Sequence, residues 1–197
     1  MIPPFLEFPK MARLRRECII TEKLDGTNAQ IYITETGEMY FGSRTRWITP
    51  NDDNFGFARW CTQNIEELRL LGPGQHFGEW WGCGIQRNYD MSCRTFSLFN
   101  TSRWCLHDQV PQLISVSDNG VEKYQQNLPR CCSLVPVLYK GIFDTSAVST
   151  ALERLKSSGS VAAPGFMNPE GIVVYHTAAN KFFKMTIKDD DKPKTIL

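Results

Sequence analysis

The residues best placed to do chemistry come first at Glu22-Lys23-Leu24-Asp25-Gly26-Thr27-Asn28, directly after a short apolar run. Lys23 sits where a strand gives way to a tight Asp-Gly turn. An amine is a nucleophile only when neutral. An ordinary lysine has a pKa of about 10.4, so well under about 1% is free amine at neutral pH. A second cation about 4 Å away, at an effective dielectric near 20, favours the neutral form by roughly 4 kcal/mol, or about three pKa units. Arg44, Lys184 and Lys188 are candidates for that cation, and a bound divalent metal would add to them. Taken alone, a Lys-x-Asp-Gly string also reads as a plain surface turn.

Other residue types suit the same chemistry. Phosphoryl transfer needs charge neutralisation and in-line positioning above all. Arg44 offers a planar fork suited to phosphate; its plain reading is a solvated charge at a strand end. Lys184, Thr186 and Lys188 fall at period two, so on a strand they share one face. That face could line an anion pocket or be an exposed basic edge. Glu79 lies among aromatics in Phe77-Gly78-Glu79-Trp80-Trp81. A buried carboxylate needs a partner, which a pair of ribose hydroxyls would provide. Phe99 could stack on a purine or pack in a core. Glu170 opens a strand after Pro169, and a metal there would need further oxygen ligands from a bound anion and water. Trp80 and Trp81 read as core. Arg13, Arg15 and Arg16 read as a solvated basic face that could touch a polyanion backbone. His76, His107 and His176 show no catalytic spacing and read as structural or surface.

These residues need elements to position them. Residues 1–17 read as an extended arm. Cys18–Lys23 and Ala29–Thr34 read as strands, with Met39–Arg44 returning after a hairpin turn at Glu35–Glu38. Apolar residues at helical spacing predict one helix within Asn51–Leu71, capped by Asp52 or Asp53. Gly72–Gln75 breaks the chain, and strands follow at His76–Gly82 and Cys93–Asn100. Residues 101–132 are polar and irregular. Leu134–Gly141 reads as a strand, and a helix runs from a cap at Asp144 to a stop at Gly159. Two late strands, Glu170–Tyr175 and Lys181–Lys188, follow a loop. Several antiparallel strands with two helices make the fold class α+β.

Composition sets the outer limits. A chain of 197 residues is one domain by length. Lys plus Arg is 22 and Asp plus Glu is 21, so a polyanion would have to meet a local basic site rather than a general positive coat. Apolar residues make up 42%, enough for a core. No run approaches about 18 apolar residues, so no spanning helix is expected. Prolines and charges interrupt the N-terminus, which therefore does not read as a signal peptide. The seven cysteines include no Cys-x-x-Cys pair and are expected as reduced thiols of a cytoplasmic protein. A structural zinc would have to combine scattered cysteines with His76 or His107, and none is expected.

The Glu22–Asn28 turn resembles motif I of the covalent nucleotidyltransferases, which include ATP-dependent RNA ligases, DNA ligases and mRNA capping enzymes. Later segments resemble that superfamily's other motifs in order. Phe41–Arg46 resembles motif Ia, His76–Gly82 motif III, Thr95–Asn100 motif IIIa, Glu170–Tyr175 motif IV and Lys181–Lys188 motif V. Glu22, Lys23, Gly26, Thr27 and Asn28 repeat the Glu-Lys-x-x-Gly-Thr-Asn of RNA ligases like phage RNA ligase 2.

The resemblance implies a nucleotidyltransferase (ATP-grasp-like) fold of two antiparallel sheets, with flanking helices and a nucleotide cleft between them. It implies that Lys23 takes AMP from ATP, that AMP passes to a 5′-phosphate on RNA, and that a 3′-hydroxyl then expels it. Mg²⁺ or Mn²⁺ is implied, with Glu170 as metal ligand. Glu22 would contact adenine through its backbone, Phe99 would stack on it, and Glu79 would bind the ribose. Asn28 and Arg44 would hold phosphate and sugar. Lys184 would grip the α-phosphate, with Thr186 or Lys188 open as the second contact, because the usual Lys-x-Lys reads Lys184-Met185-Thr186 here. A carboxylate common after motif IIIa is Asn100. A single adenylation domain over residues 1–197 is expected, without a C-terminal OB or helical domain. Nick sealing would then be weak, or need a partner protein or the missing module. No membrane association is expected. The alternatives are a minimal DNA ligase, a GTP-using capping enzyme, or a degenerate nucleotide- or RNA-binding module.

Overall fold

The computed structural model describes residues 3–106, 109–188 and 190. An exposed arm leads into β1 (Glu17–Lys23), and the Asp25-Gly26 turn passes the chain to β2 (Thr27–Ile33), β3 (Met39–Gly42) and β4 (Trp47–Ile48). Helices α1 (Phe57–Gln63) and α2 (Ile65–Leu68) and a 3₁₀ turn at Arg69–Leu71 precede β5 (Gly74–Gly82) and β6 (Arg94–Leu98). Short strands follow: β7 (Trp104–Cys105), β8 (Leu113–Val116), β9 (Glu122–Tyr124), β10 (Gln126–Asn127) and β11 (Cys132–Leu134). The chain closes with β12 (Val137–Ile142), α3 (Thr145–Ser158), β13 (Gly171–His176) and β14 (Lys181–Thr186).

Two main sheets carry the α+β architecture. A four-stranded sheet has the order β12-β1-β13-β14 and is antiparallel throughout. A six-stranded sheet has the order β11-β6-β5-β2-β3-β4. It is antiparallel except at one edge, where β11 runs parallel to β6. β1 and β2 therefore belong to different sheets, and the turn between them bridges the two.

Each sheet buries one face. Ala29, Ile31 and Ile33 of β2 pack with Phe57, Ala58 and Cys61 of α1 and with Trp80 and Phe96. Cys18, Ile20, Ile172 and Val174 pack against Ala151 and Leu155 of α3. Period two along each strand leaves the opposite faces free to line a cleft. A third, smaller core of Leu24, Trp81, Tyr89, Val135 and Ala163 sits under the bridging turn. Trp80 and Trp81 are buried, as expected of core residues.

Four expectations change in detail. The helix within Asn51–Leu71 starts late and is broken. Phe55 and Gly56 take φ of 50° and 76°, and Asn64 departs from helical geometry at φ −113°. Asp53 still caps the first helix, its carboxylate accepting from the N–H of Ala58 at 2.8 Å and Arg59 at 3.1 Å. The strand read at Leu134–Gly141 is two strands in different sheets. Pro136 lies between them; it lacks an N–H for a ladder and marks where the chain changes sheet. Residues 101–132 contain β7 to β10, too short or too exposed on both faces to leave an alternating pattern. The last strand ends at Thr186 rather than Lys188, where the Asp190 carboxylate accepts from the Thr186 N–H at 2.8 Å.

All seven cysteines are free. Among the described residues, no helix is long and apolar enough to cross a membrane.

Candidate active site

The bridging turn is held from below and behind. Gly26 is required by close approach: a Cβ there would fall 2.6 Å from the Trp81 Cβ and closer still to the Trp80 carbonyl oxygen. The Asp25 N–H donates to the Tyr89 hydroxyl at 2.9 Å. Arg87 donates to the Asp25 carboxylate at 2.8 Å and to the Asn168 carbonyl at 3.2 Å, tying the turn to the loop that precedes Glu170. Burial pushes the Tyr89 phenol well above its ordinary value, so it stays protonated.

Glu22 is almost completely buried, at 1% exposure. Its carboxylate accepts from the Ser160 hydroxyl at 2.6 Å and from the N–H groups of Val161 and Ala162 at 2.8 and 3.0 Å. Burial raises its pKa, and those three hydrogen bonds oppose the rise. The Glu22 N–H donates to the Pro136 carbonyl at 2.9 Å. The residue before Lys23 is thus locked by the loop after α3 and by the sheet crossover.

Lys23 ends β1 with its side chain partly exposed. Its Nζ forms an ion pair with the buried carboxylate of Glu170. Glu79, on β5, is buried opposite Asn28 in register. It accepts from the Gly26 N–H at 3.1 Å and the Asn28 side-chain amide at 3.0 Å. Burial pushes Glu79 up to about 7, against the pull of the Lys23 charge and the two hydrogen bonds. The carboxylate therefore already has partners within the protein, in addition to any ribose hydroxyls a ligand would bring.

These groups meet at a cavity of about 580 Å³. Lys23, Asn28, Arg44, Glu79, Phe99 and Lys184 line it, with Val173, Phe182 and the segment 21–27. Val173 and Lys184 are register partners on β13 and β14, on the face turned away from α3. Arg44 projects from an exposed turn closed by the Ser43 N–H to the Arg46 carbonyl at 2.8 Å. Phe99 lies just past β6, pinned by its N–H to the Phe77 carbonyl at 3.0 Å. A second chamber of about 530 Å³ adjoins the first. Asn28, Arg44, Phe99 and Phe182 line both.

The predicted site residues are thus largely brought together. Glu170 is buried behind Lys23 and reaches its amine. Lys188 is the exception. Because β14 ends at Thr186, Lys188 leaves the strand face, and its Nζ donates to the Asn168 side-chain oxygen at 3.3 Å. Thr186 turns its hydroxyl to the Lys188 carbonyl at 2.8 Å. Neither lines the Lys23 cavity.

Sequence reasoning missed Arg87, Tyr89 and Phe182. Phe182 lies two residues before Lys184, and strand periodicity could have placed it on the same face. Arg87 and Tyr89 lie in an irregular run with no local signal. Of the histidines, His76 and His176 are buried and bond the carbonyls of Gly72 at 2.9 Å and Leu14 at 2.7 Å. His107 lies outside the described residues. Arg13, Arg15 and Arg16 are exposed. Among the described residues, no three His, Cys, Asp or Glu side chains cluster to hold a metal unaided.

A family model described as RNA ligase matches residues 16–188. No curated protein is similar to this chain in sequence. Among solved structures, an RNA ligase of Naegleria gruberi, as an apo mutant, aligns with a TM-score of 0.54 at 19% identity, covering 94% of this chain and 57% of that one. A mutant of the same organism's RNA ligase with ATP and Mn aligns with a TM-score of 0.55 at 16% identity, covering 95% and 58%. Another with AMP and Mn gives 0.52 at 18% identity, covering 94% and 57%. The fold is that of these ligases, and the chain spans little more than half of their length.

Proposed function

This chain belongs to the RNA ligase family, and on that premise we propose that it is an ATP-dependent RNA ligase working through a lysyl-AMP intermediate on Lys23. One observation carries the reading. The Lys23 amine, paired with Glu170, opens on a cavity that also receives Arg44 and Lys184.

The chemistry follows from those groups. Lys23 Nζ attacks the α-phosphorus of ATP; the Nζ–P bond forms, the bond to the β-phosphate oxygen breaks, and pyrophosphate leaves. The proton on Nζ must depart first, and Glu170 is the carboxylate in contact with it. Lys184 and Arg44 offset the negative charge that builds on the phosphate oxygens. The cavity is large enough to take a nucleotide. Phe99 offers a ring face for the base. Glu79 accepts two hydrogen bonds within the protein, and a carboxylate has about four lone-pair sites, so room remains for ribose hydroxyls.

A divalent cation suits this donor set only in part: Glu170 supplies one carboxylate, and phosphate and water oxygens would supply the rest. When bound, it would neutralise phosphate charge and polarise the transferring group. AMP then passes to a 5′-phosphate on RNA, and a 3′-hydroxyl displaces it.

The test is intact mass after incubation with ATP and Mg²⁺, for wild type and Lys23→Ala. The expected result is a gain of one AMP in wild type and none in the variant. Absence of an adduct from folded, AMP-free protein would overturn the proposal. Adduct formation with GTP in preference to ATP would move the reading to a capping enzyme.

A further inference from the structure

The six-stranded sheet carries a second exposed surface on the face that lines the cleft. Along β2, Asn28, Gln30 and Tyr32 share one face. Asn28 and Gln30 line the second chamber, and Tyr32 is the next residue outward. Tyr40 pairs with Tyr32 in register, and Trp47 pairs with Gly42, which pairs with Gln30. The three rings form one cluster, with centroids 6.3 Å apart for Tyr32–Tyr40, 6.5 Å for Tyr32–Trp47 and 6.0 Å for Tyr40–Trp47. The opposite face of β2 is the buried core, so these rings are not needed there.

They are left open instead. Tyr32, Tyr40 and Trp47 are 38%, 46% and 52% exposed. Phe77, which pairs with Gln30 on the other side, is 52% exposed and lines the second chamber. Exposed rings thus recur on this side of the sheet, Phe99 at the Lys23 cavity, Phe77 beside it, and the triad further out. The amides of Gln30 and Gln75 lie between, bonded to each other. Arg44 stands at the cleft end of the path, in the turn that joins β3 to β4. From Asn28 to Tyr32 the strand spans about 13 Å.

We propose that Tyr32, Tyr40 and Trp47 form a stacking platform for unpaired bases of the RNA strand whose end occupies the Lys23 cleft. The proposal rests on the ligase reading above. Three features select this occupant. The platform lies on the same sheet face that lines the cleft, one register step beyond Gln30. Arg44 supplies a cation for the backbone where strand and cleft meet. Aromatic rings stack on any base face, so the surface accepts a strand without reading its sequence.

The test compares the affinity of a short dye-labelled oligouridylate, by fluorescence anisotropy, for wild type and two triple variants. Tyr32→Ala/Tyr40→Ala/Trp47→Ala should bind about tenfold more weakly or worse, the loss of at least one stacked base. Tyr32→Phe/Tyr40→Phe/Trp47→Phe keeps the rings and should retain binding. Unchanged affinity in the alanine variant overturns the platform, as does an equal loss on a fully paired RNA duplex. Unchanged affinity with a sedimentation shift of the free protein would give the face to a second copy instead. Should the alanine variant not fold, tryptophan quenching decides. Oligouridylate should quench wild type more than Trp47→Phe, and equal quenching overturns the proposal. Formation of the AMP adduct is read separately. Its failure in wild type sinks the ligase reading, while the RNA affinities still decide the platform.

Discussion

Lys23 and Lys184 bring amines to one cavity from the same sheet, yet they are held in opposite ways. Lys23 ends β1, a central strand with β12 on one side and β13 on the other. The buried Glu22 carboxylate, the Glu170 ion pair and a small core under the turn fix its surroundings. Lys184 stands on β14, an edge strand with one neighbour and mostly exposed side chains. On the ligase proposal, the difference matches what each amine would be asked to do. A nucleophile must be aimed, and small misplacement is costly. A charge that neutralises phosphate acts over distance, and a flexible lysine is a sufficient point charge.

The sharpest way to break that contrast is to remove the buried anchor. Glu22→Ala leaves the Ser160 hydroxyl and the N–H groups of Val161 and Ala162 without their acceptor. At about 1–3 kcal/mol for each unsatisfied buried group, the loss should be roughly 3 kcal/mol or more in urea unfolding. Lys184→Ala should stay within about 0.5 kcal/mol of wild type in the same measurement. Equal losses would mean that the edge strand is as tightly held as the central one.

The contrast reverses when the readout is chemistry. Lys184→Ala should slow AMP-adduct formation by about 10²-fold, the usual cost of losing one charge-stabilising donor. Lys188→Ala should leave the rate little changed, because its amine is engaged by Asn168 away from the cavity. A matching loss in Lys188→Ala would show that its side chain reaches the phosphates after all.

Gly26→Ala probes the turn without touching a charge. The new methyl must displace the Trp80–Trp81 backbone or the turn itself, so destabilisation of about 1–3 kcal/mol is expected, with slower adduct formation. Full stability would show that the turn can move aside.

The smallest effect is a pH dependence. Glu79 is pushed up to about 7 in the folded protein from an ordinary 4.5. Between those values the folded chain holds a proton that the unfolded chain has released. This group's contribution to stability is therefore full below about 4.5 and is lost as pH rises toward 7. The melting temperature of wild type relative to Glu79→Gln should fall across that window. A difference that is flat with pH would show that Glu79 ionises normally.

Much of the site was legible because its signals are local. The Glu22–Asn28 turn announced a strand, a bend and the lysine proposed as nucleophile within seven residues. The helix from Asp144 to Gly159 announced its own cap and stop. Other features were hidden for physical reasons. The late start of the helix before β5 depends on left-handed backbone at Phe55 and Gly56, and its break on a non-helical Asn64, neither of which the apolar spacing reveals. The last strand stops at Thr186 rather than Lys188, where the chain turns so that the Asp190 carboxylate accepts from the Thr186 N–H, a detail the alternation does not show. Arg87 and Tyr89 secure the turn from an irregular run, where no period exists to read.

The amino-acid sequence by itself determined the strands, the turn with its lysine, and the order of the charged groups along the chain. Those follow from side-chain period, turn chemistry and spacing, which act over a few residues. Only the tertiary structure decided which of those groups meet. Lys23 and Glu170 pair across 147 residues, and Glu22 locks a loop 138–140 residues away. Pro136 sends neighbouring strands to different sheets, and the end of β14 turns Lys188 out of the site. Such contacts are set by sheet pairing and shared burial, which no short window of sequence contains.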